Sequence, residues 1–215
     1  VRKRHGAGLL PHPELVAELM KKVSCHTEIS FSVKMRLGWE SKSEWKELIP
    51  LLNDAPLRHI TMHPRLGIEQ DKKPVDVDAF AEFYDACRHP VIYNGDILTL
   101  EDIRKIEERF PKLKGVMLGR GLLANPALAM EYKRGEELPA KELASLVQEM
   151  HDSMYEKLVT RLQGNTQFLG KMKPYWEYLL PDMLKRDKKA ILKATTIEKY
   201  MHAVNNGLGN MKNGM

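Results

Sequence analysis

No apolar run in these 215 residues approaches the roughly 20 that a membrane-spanning helix needs, and no secretory signal peptide is visible. Cysteine is scarce. Cys25 and Cys87 are the only two, and they offer no metal-site spacing. So few thiols fit a reducing compartment, where each reads as a small buried hydrophobe. These absences predict a cytoplasmic protein with no spanning helix and no bound metal. An initiator Met is missing as well: the chain begins at Val1, which predicts a cut or incomplete N-terminus. The first three quarters also lack any charge excess. Nine Lys/Arg against four Asp/Glu lie from Asn165 onward, which leaves 25 of each sign elsewhere out of 34 and 29. The net charge of +5 therefore belongs to the last quarter. Such asymmetry points to a polyanion, nucleic acid first. A solvated helical surface is the plainer alternative.

What is present is organised around Pro90 to Leu122, PVIYNGDILTLEDIRKIEERFPKLKGVMLGRGL. It reads as strand, Gly-turn, helix, strand, Gly-turn. Pro90 to Tyr93 is an apolar strand ending in Asn94-Gly95-Asp96. Thr99 suits the cap of an amphipathic helix carrying Ile103, Ile106 and Phe110. Val116 to Leu118 is a second strand, ending in Gly119-Arg120-Gly121. Both turns follow strand C-termini, where an α/β barrel gathers its active site and often holds a phosphate. Glycine lets backbone approach an anion, helix N–H groups point at it, and Arg120 can add a forked charged contact. This unit is expected to hold the phosphate end of a cofactor; two ordinary turns with a surface arginine are the alternative.

Upstream, Arg2, Lys3, Arg4 and His5 precede Gly6-Ala7-Gly8 and suggest a basic rim loop. Pro11 to Val23 reads as a helix with Pro13 in its first turn. Ile29 to Arg36 alternates Ile29, Phe31, Val33 and Met35 with Ser30, Ser32, Lys34 and Arg36, the period of a strand. Lys34 would point to a barrel mouth and meet an anionic or electron-rich ligand, unless it snorkels to solvent. Ser43 to Asn53 reads as a helix capped by Ser43. Leu57 to His63 is a strand whose end presents His63 as a ligand contact, and Asp76 to Cys87 is a helix. Strand–helix alternation of this kind argues a parallel sheet. From Ala140 the pattern turns helical: Glu142–Leu162, Gln167–Leu180 and Lys185–Val204, with Tyr175, Trp176 and Tyr178 assigned to a core. Lys171, Lys173, Lys185, Arg186, Lys188 and Lys189 make it basic and are the candidate nucleic-acid contacts. The end, NNGLGNMKNGM, has too few large side chains to pack and is expected to be flexible.

Four motifs, in this order and spacing, resemble the tRNA-dihydrouridine synthases: VKMRLGW (Val33 to Trp39), ITMHPR (Ile60 to Arg65), PVIYNGDI (Pro90 to Ile97) and GVMLGRGLLANP (Gly115 to Pro126). The resemblance covers nearly the whole chain and implies an FMN-binding (β/α)8 TIM barrel joined to a helical tRNA-binding domain. It implies reduction of uridine in tRNA to dihydrouridine, with NADPH reducing the flavin. By resemblance, Lys34 and His63 contact the flavin, Asn94, Gly95, Asp96, Gly119 and Arg120 hold its ribityl-phosphate, and Arg36 faces the uridine or tRNA. The family's proton donor, a cysteine in a Gly-Cys-Pro motif, is absent, and Cys25 and Cys87 do not match it. An aromatic and a glycine usual in the family are not seen around Gln70-Asp71-Lys72-Lys73.

The expected fold is therefore α/β: the last four βα units of a TIM barrel (1–135), a helical tRNA-binding domain (140–204) and a flexible tail (205–215). The chain alone is expected to be inactive. An open half barrel would leave an apolar inner face, which predicts self-association or completion by a missing N-terminal half. Two other readings stay open: a dihydroorotate-type FMN oxidoreductase, and an inactive RNA- or flavin-binding fragment.

Overall fold

Strand–helix alternation produces a parallel sheet. The computed structural model describes residues 5–70 and 72–214; Arg2, Lys3, Arg4 and Asp71 lie outside them. A 3₁₀ turn at Gly6–Leu9 leads into α1 (Pro13–Ser24), with Pro at the start where its missing N–H costs nothing. There follow β1 (Phe31–Gly38), α2 (Glu44–Asp54), β2 (Leu57–Leu66), α3 (Val77–Ala86), β3 (Val91–Tyr93), α4 (Leu100–Arg109) and β4 (Gly115–Val116). The described strands form one four-stranded sheet in the order β1-β2-β3-β4, and every pairing is parallel.

Register and alternation give the sheet two unlike faces. Val33 pairs with Ile60, Met35 with Met62, and Met62 with Tyr93. Met35, Leu37, Ile60, Met62, Val91 and Tyr93 are buried, as are Trp45, Leu48 and Leu52 of α2 and Phe80 and Phe83 of α3. Edge-to-face aromatic pairs tie this layer together: Phe80 with Tyr93 at 4.8 Å, and Trp45 with Phe83 at 5.4 Å. The opposite face carries Lys34 beside Thr61 and Arg36 beside His63. The expected apolar inner face is thus corrected. It is polar and cationic over this stretch, so no apolar patch there drives association.

Two local expectations also change. Ser43 makes no side-chain cap on α2. The Glu44 carboxylate instead accepts from the backbone N–H groups of Trp39 (2.7 Å), Glu40 (3.0 Å) and Ser41 (2.7 Å). Neither cysteine is a core residue: Cys25 is exposed and Cys87 half-buried.

The chain divides after Gly119 into two compact units, residues 120–215 with Leu98–Leu100 forming the second. The expected boundary lay between residues 135 and 140. The second unit contains α5 (Arg120–Ala124), α6 (Leu128–Arg134), α7 (Ala140–Val159), α8 (Gly164–Trp176), α9 (Lys185–Lys193) and α10 (Ile197–Lys212). Glu131 is buried, yet both its oxygens are used: Asn125 Nδ2 donates at 2.8 Å and the Leu138 N–H at 3.0 Å. The core joins Val147 of α7, Phe168, Met172 and Trp176 of α8, and Tyr200, Val204 and Leu208 of α10.

Three expectations fail in this unit. The helix read over Lys185–Val204 is two helices, because the Thr196 hydroxyl accepts from the Lys199 N–H and starts α10. The tail read as flexible is helical to Lys212. Leu208 is fully buried there, and Gly207 permits the close approach: a Cβ on it would lie 3.3 Å from Met183 Cε and Asp187 Cβ. Tyr175 and Tyr178, assigned to the core with Trp176, are 45% and 46% exposed. Among the described residues, no helix is long and apolar enough to cross a membrane.

Candidate active site

The C-terminal ends of β1, β2 and β3 bring together the residues singled out in the first unit. Lys34 and Arg36 lie two apart on β1 and share a face. Arg36 stands opposite His63 of β2 in the ladder. Lys34 is exposed; Arg36 is half-buried and donates from Nη1 to the carbonyls of Leu66 (2.9 Å) and Gln70 (2.6 Å). Arg36 therefore braces the segment after β2 rather than pointing wholly outward. His63 is buried among cations. Burial, then Arg36, Lys34 and Arg65, push its pKa down to about 4, against a backbone hydrogen bond with Asn94. At neutral pH His63 is uncharged.

The Asn94–Asp96 turn is fixed to both neighbouring strands. The Asn94 N–H donates to the Met62 carbonyl (3.0 Å), and its Nδ2 donates to the Met117 carbonyl at the end of β4 (2.8 Å). The second hydrogen bond links this turn to the chain just before Gly119. Gly95 has no room for a side chain, since a Cβ would lie 2.5 Å from Val75 Cγ1. Asp96 adopts a left-handed φ of 46°, uncommon without glycine. Its carboxylate turns to Arg65 Nη2 (2.5 Å) and the Val75 N–H (3.4 Å). At Gly119 the situation is reversed. A Cβ there would meet nothing within 4 Å, so packing within the protein does not demand glycine. Arg120 follows directly in sequence, as the first residue of α5 in the second unit.

Arg65 is the residue that sequence reasoning missed. It is 3% exposed, and its guanidinium reaches the Lys73 carbonyl, His63 Nε2 (3.3 Å) and Asp96. The sign available was its alternation with His63, but β2 was expected to stop at His63 and instead runs through Pro64 to Leu66. Cys25 and Cys87 close α1 and α3, the helix ends that lead into strand N-termini, so neither belongs to this rim. Among the described residues, no group of three or more His, Cys, Asp or Glu could hold a metal ion.

The predicted nucleic-acid residues separate by exposure. Arg36 belongs to the first unit and the others to the second. Lys171, Lys185, Arg186 and Lys189 are exposed, while Lys173 and Lys188 are half-buried. Burial lowers the pKa of Lys188, with Asp182 opposing.

A family model described as dihydrouridine synthase (Dus) matches residues 1–205. The chain belongs to the dihydrouridine synthase family. Similar curated relatives include a tRNA-dihydrouridine(16) synthase of Pseudomonas syringae pv. tomato, 33% identical over 67% of this chain and 47% of that protein. Another, a tRNA-dihydrouridine(16) synthase of Aquipseudomonas alcaligenes, is 32% identical over 74% of this chain and 53% of that protein. A human tRNA-dihydrouridine(20a/20b) synthase [NAD(P)+]-like protein is 35% identical over 64% and 42%. The chain spans about half the length of the curated relatives it matches.

Proposed function

We propose that the chain is the C-terminal portion of a tRNA-dihydrouridine synthase, an FMN-dependent enzyme that reduces uridine in tRNA to 5,6-dihydrouridine with NADPH as reductant. The first unit would be the last four βα units of a (β/α)8 barrel, and the second a tRNA-binding helical domain. One observation carries the reading. Lys34, Arg36, His63 and the Asn94–Asp96 turn share the C-terminal rim of a parallel sheet, in a chain of this family.

The residues fit a flavin with a phosphate tail. Open space at the Gly119 Cβ position lets an outside group meet the backbone, and Arg120 follows with a permanent charge. The Asp96 carboxylate is neutralised by Arg65, so it need not repel an anion. Asn94, Gly95, Asp96, Gly119 and Arg120 are therefore assigned to the ribityl-phosphate, Asp96 by holding the turn. Lys34 is assigned to the polar edge of the ring, where a cation offsets negative charge. His63, neutral, is assigned to hydrogen bonding or packing beside it. FMN, when bound, supplies the hydride; the protein orients the base and keeps water out. The target uridine must leave its stack to reach this rim. Protonation of the reduced base needs an acid that neither Cys25 nor Cys87 is positioned to provide, and the chain alone is assigned no turnover. Localisation in the cytoplasm, and completion of the open β1 and β4 edges by a second copy or by further protein, belong to the same proposal.

The test is FMN binding by the full-length protein. Arg120→Ala should weaken FMN by about 1.5–3 kcal/mol, the usual worth of a charged hydrogen bond. Unchanged affinity would remove the phosphate assignment. A preparation that binds tRNA but never flavin would favour the binding-fragment reading instead.

A further inference from the structure

We propose that Arg65 is a positioning residue, a buried fork that holds the Asn94–Asp96 turn in its binding shape and sets the tautomer of His63. The inference rests on the flavin reading above and assigns a role to a residue outside the predicted site.

The fork has three tines on three segments. Nε donates to the Lys73 carbonyl in the segment before α3. Nη2 donates to Asp96 Oδ2 at 2.5 Å. Nη1 lies 3.3 Å from His63 Nε2. Arginine carries no acceptor, so Nη1 donates and Nε2 must accept. The proton of the neutral imidazole is then on Nδ1. The same guanidinium thus joins the end of β2, the loop at Lys73–Val75 and the turn after β3. This support fixes Asp96 at its left-handed φ of 46°, a conformation that Asp tolerates better than most residues but that still has a cost without glycine. Val75 adds to it by donating its N–H to the same carboxylate oxygen and by filling the space over Gly95. Lysine cannot substitute, since a single ammonium does not reproduce a planar three-way fork.

The charges around His63 are Lys34 and Arg36 from β1 and Arg65 from its own strand, with the Asn94 backbone on the β3 side. The Asp96 carboxylate is taken up by Arg65. Removing the Arg65 cation should let the imidazole titrate at a higher pH, with burial and the two β1 cations still opposing protonation. It should also release the tautomer preference.

The experiment compares wild type, Arg65→Met, Arg65→Lys and Asp96→Asn in the full-length protein by FMN titration and by ¹⁵N-edited NMR of the imidazoles, with His63→Gln to assign the signal. Asp96→Asn leaves the buried guanidinium in place and keeps the test open where Arg65→Met does not fold. Expected are an Nδ1–H tautomer in wild type and its loss in Arg65→Met and Arg65→Lys. FMN affinity should fall about tenfold or more in all three variants, the factor equal to one lost charged contact. Wild-type FMN affinity together with the wild-type His63 tautomer in Arg65→Lys would overturn the fork. If wild type binds no FMN, the flavin reading falls, and an Nδ1–H signal unchanged by Arg65→Met would separately overturn the role of Arg65.

Discussion

Tyr200 joins two hydrogen bonds in the helical core. Trp176 Nε1–H can only donate, and it points at the Tyr200 hydroxyl oxygen at 2.8 Å. The hydroxyl proton therefore goes to His151 Nε2, 3.0 Å away, and His151 keeps its own proton on Nδ1, 3.1 Å from the Asp152 carboxylate. Burial pushes the phenol up to about 12 and the imidazole down. Tyr200→Phe leaves two buried polar groups without their partner. We expect a loss of about 2–6 kcal/mol, from about 1–3 for each such group, read by urea unfolding. His63 makes a separate prediction. Its folded pKa, about 4, lies below the ordinary 6.5, so the unfolded chain binds the extra proton first. Stability then rises with pH across this window and falls as pH drops from 6.5 toward 4. The size is about 3 kcal/mol at 1.36 kcal/mol per pH unit. Urea midpoints measured every half pH unit should show this slope in wild type and a shallower one in His63→Gln. His63 was legible as a strand-end histidine. Its neutrality was not, because two of its three cationic neighbours come from another strand.

At the level of elements, caps decided what periodicity left open. The run from Lys185 to Val204 has helical spacing throughout, so nothing in the pattern marks a break. The break comes from Thr196, whose hydroxyl caps α10, and from Asn165, whose Oδ1 accepts from the Ile197 N–H at 2.9 Å. Thr196→Ala should cost about 1 kcal/mol in thermal or urea unfolding, as other Thr caps do. A change under a few tenths would mean that Asn165 alone suffices. The α3 start was easier to read, since Asp76 accepts from the Ala79 N–H at 2.9 Å as an Asp cap ahead of an apolar run should. The tail shows the opposite error. Gly207 and Gly209 lower helix propensity, but Leu208 is buried between them and Asn210 Nδ2 donates to Asp187 at 2.8 Å. Packing outweighs propensity at those positions.

For the whole molecule, the basic second unit carries the nucleic-acid proposal. If Lys185 and Lys189 meet phosphates, tRNA affinity should fall steeply with salt, and charge reversal at both should flatten the slope by about two contacts' worth. Equal slopes in variant and wild type would discard those lysines. Half-buried Lys188 should matter less, because it is already partly desolvated. The sequence by itself determined the α/β order, the parallel sheet and the rim positions of Lys34, His63 and the Asn94 turn, because period-two alternation and Gly-turns are local signals. It also marked the helical second half through its apolar stripes. Only the tertiary structure decided that Arg65 joins residues 63, 73 and 96, that the second sheet face is polar across β1 and β2, and that Tyr175 and Tyr178 lie outside while Leu208 lies inside. Each of these depends on partners distant in sequence, and burial and charge pairing are properties of what surrounds a side chain rather than of the side chain itself.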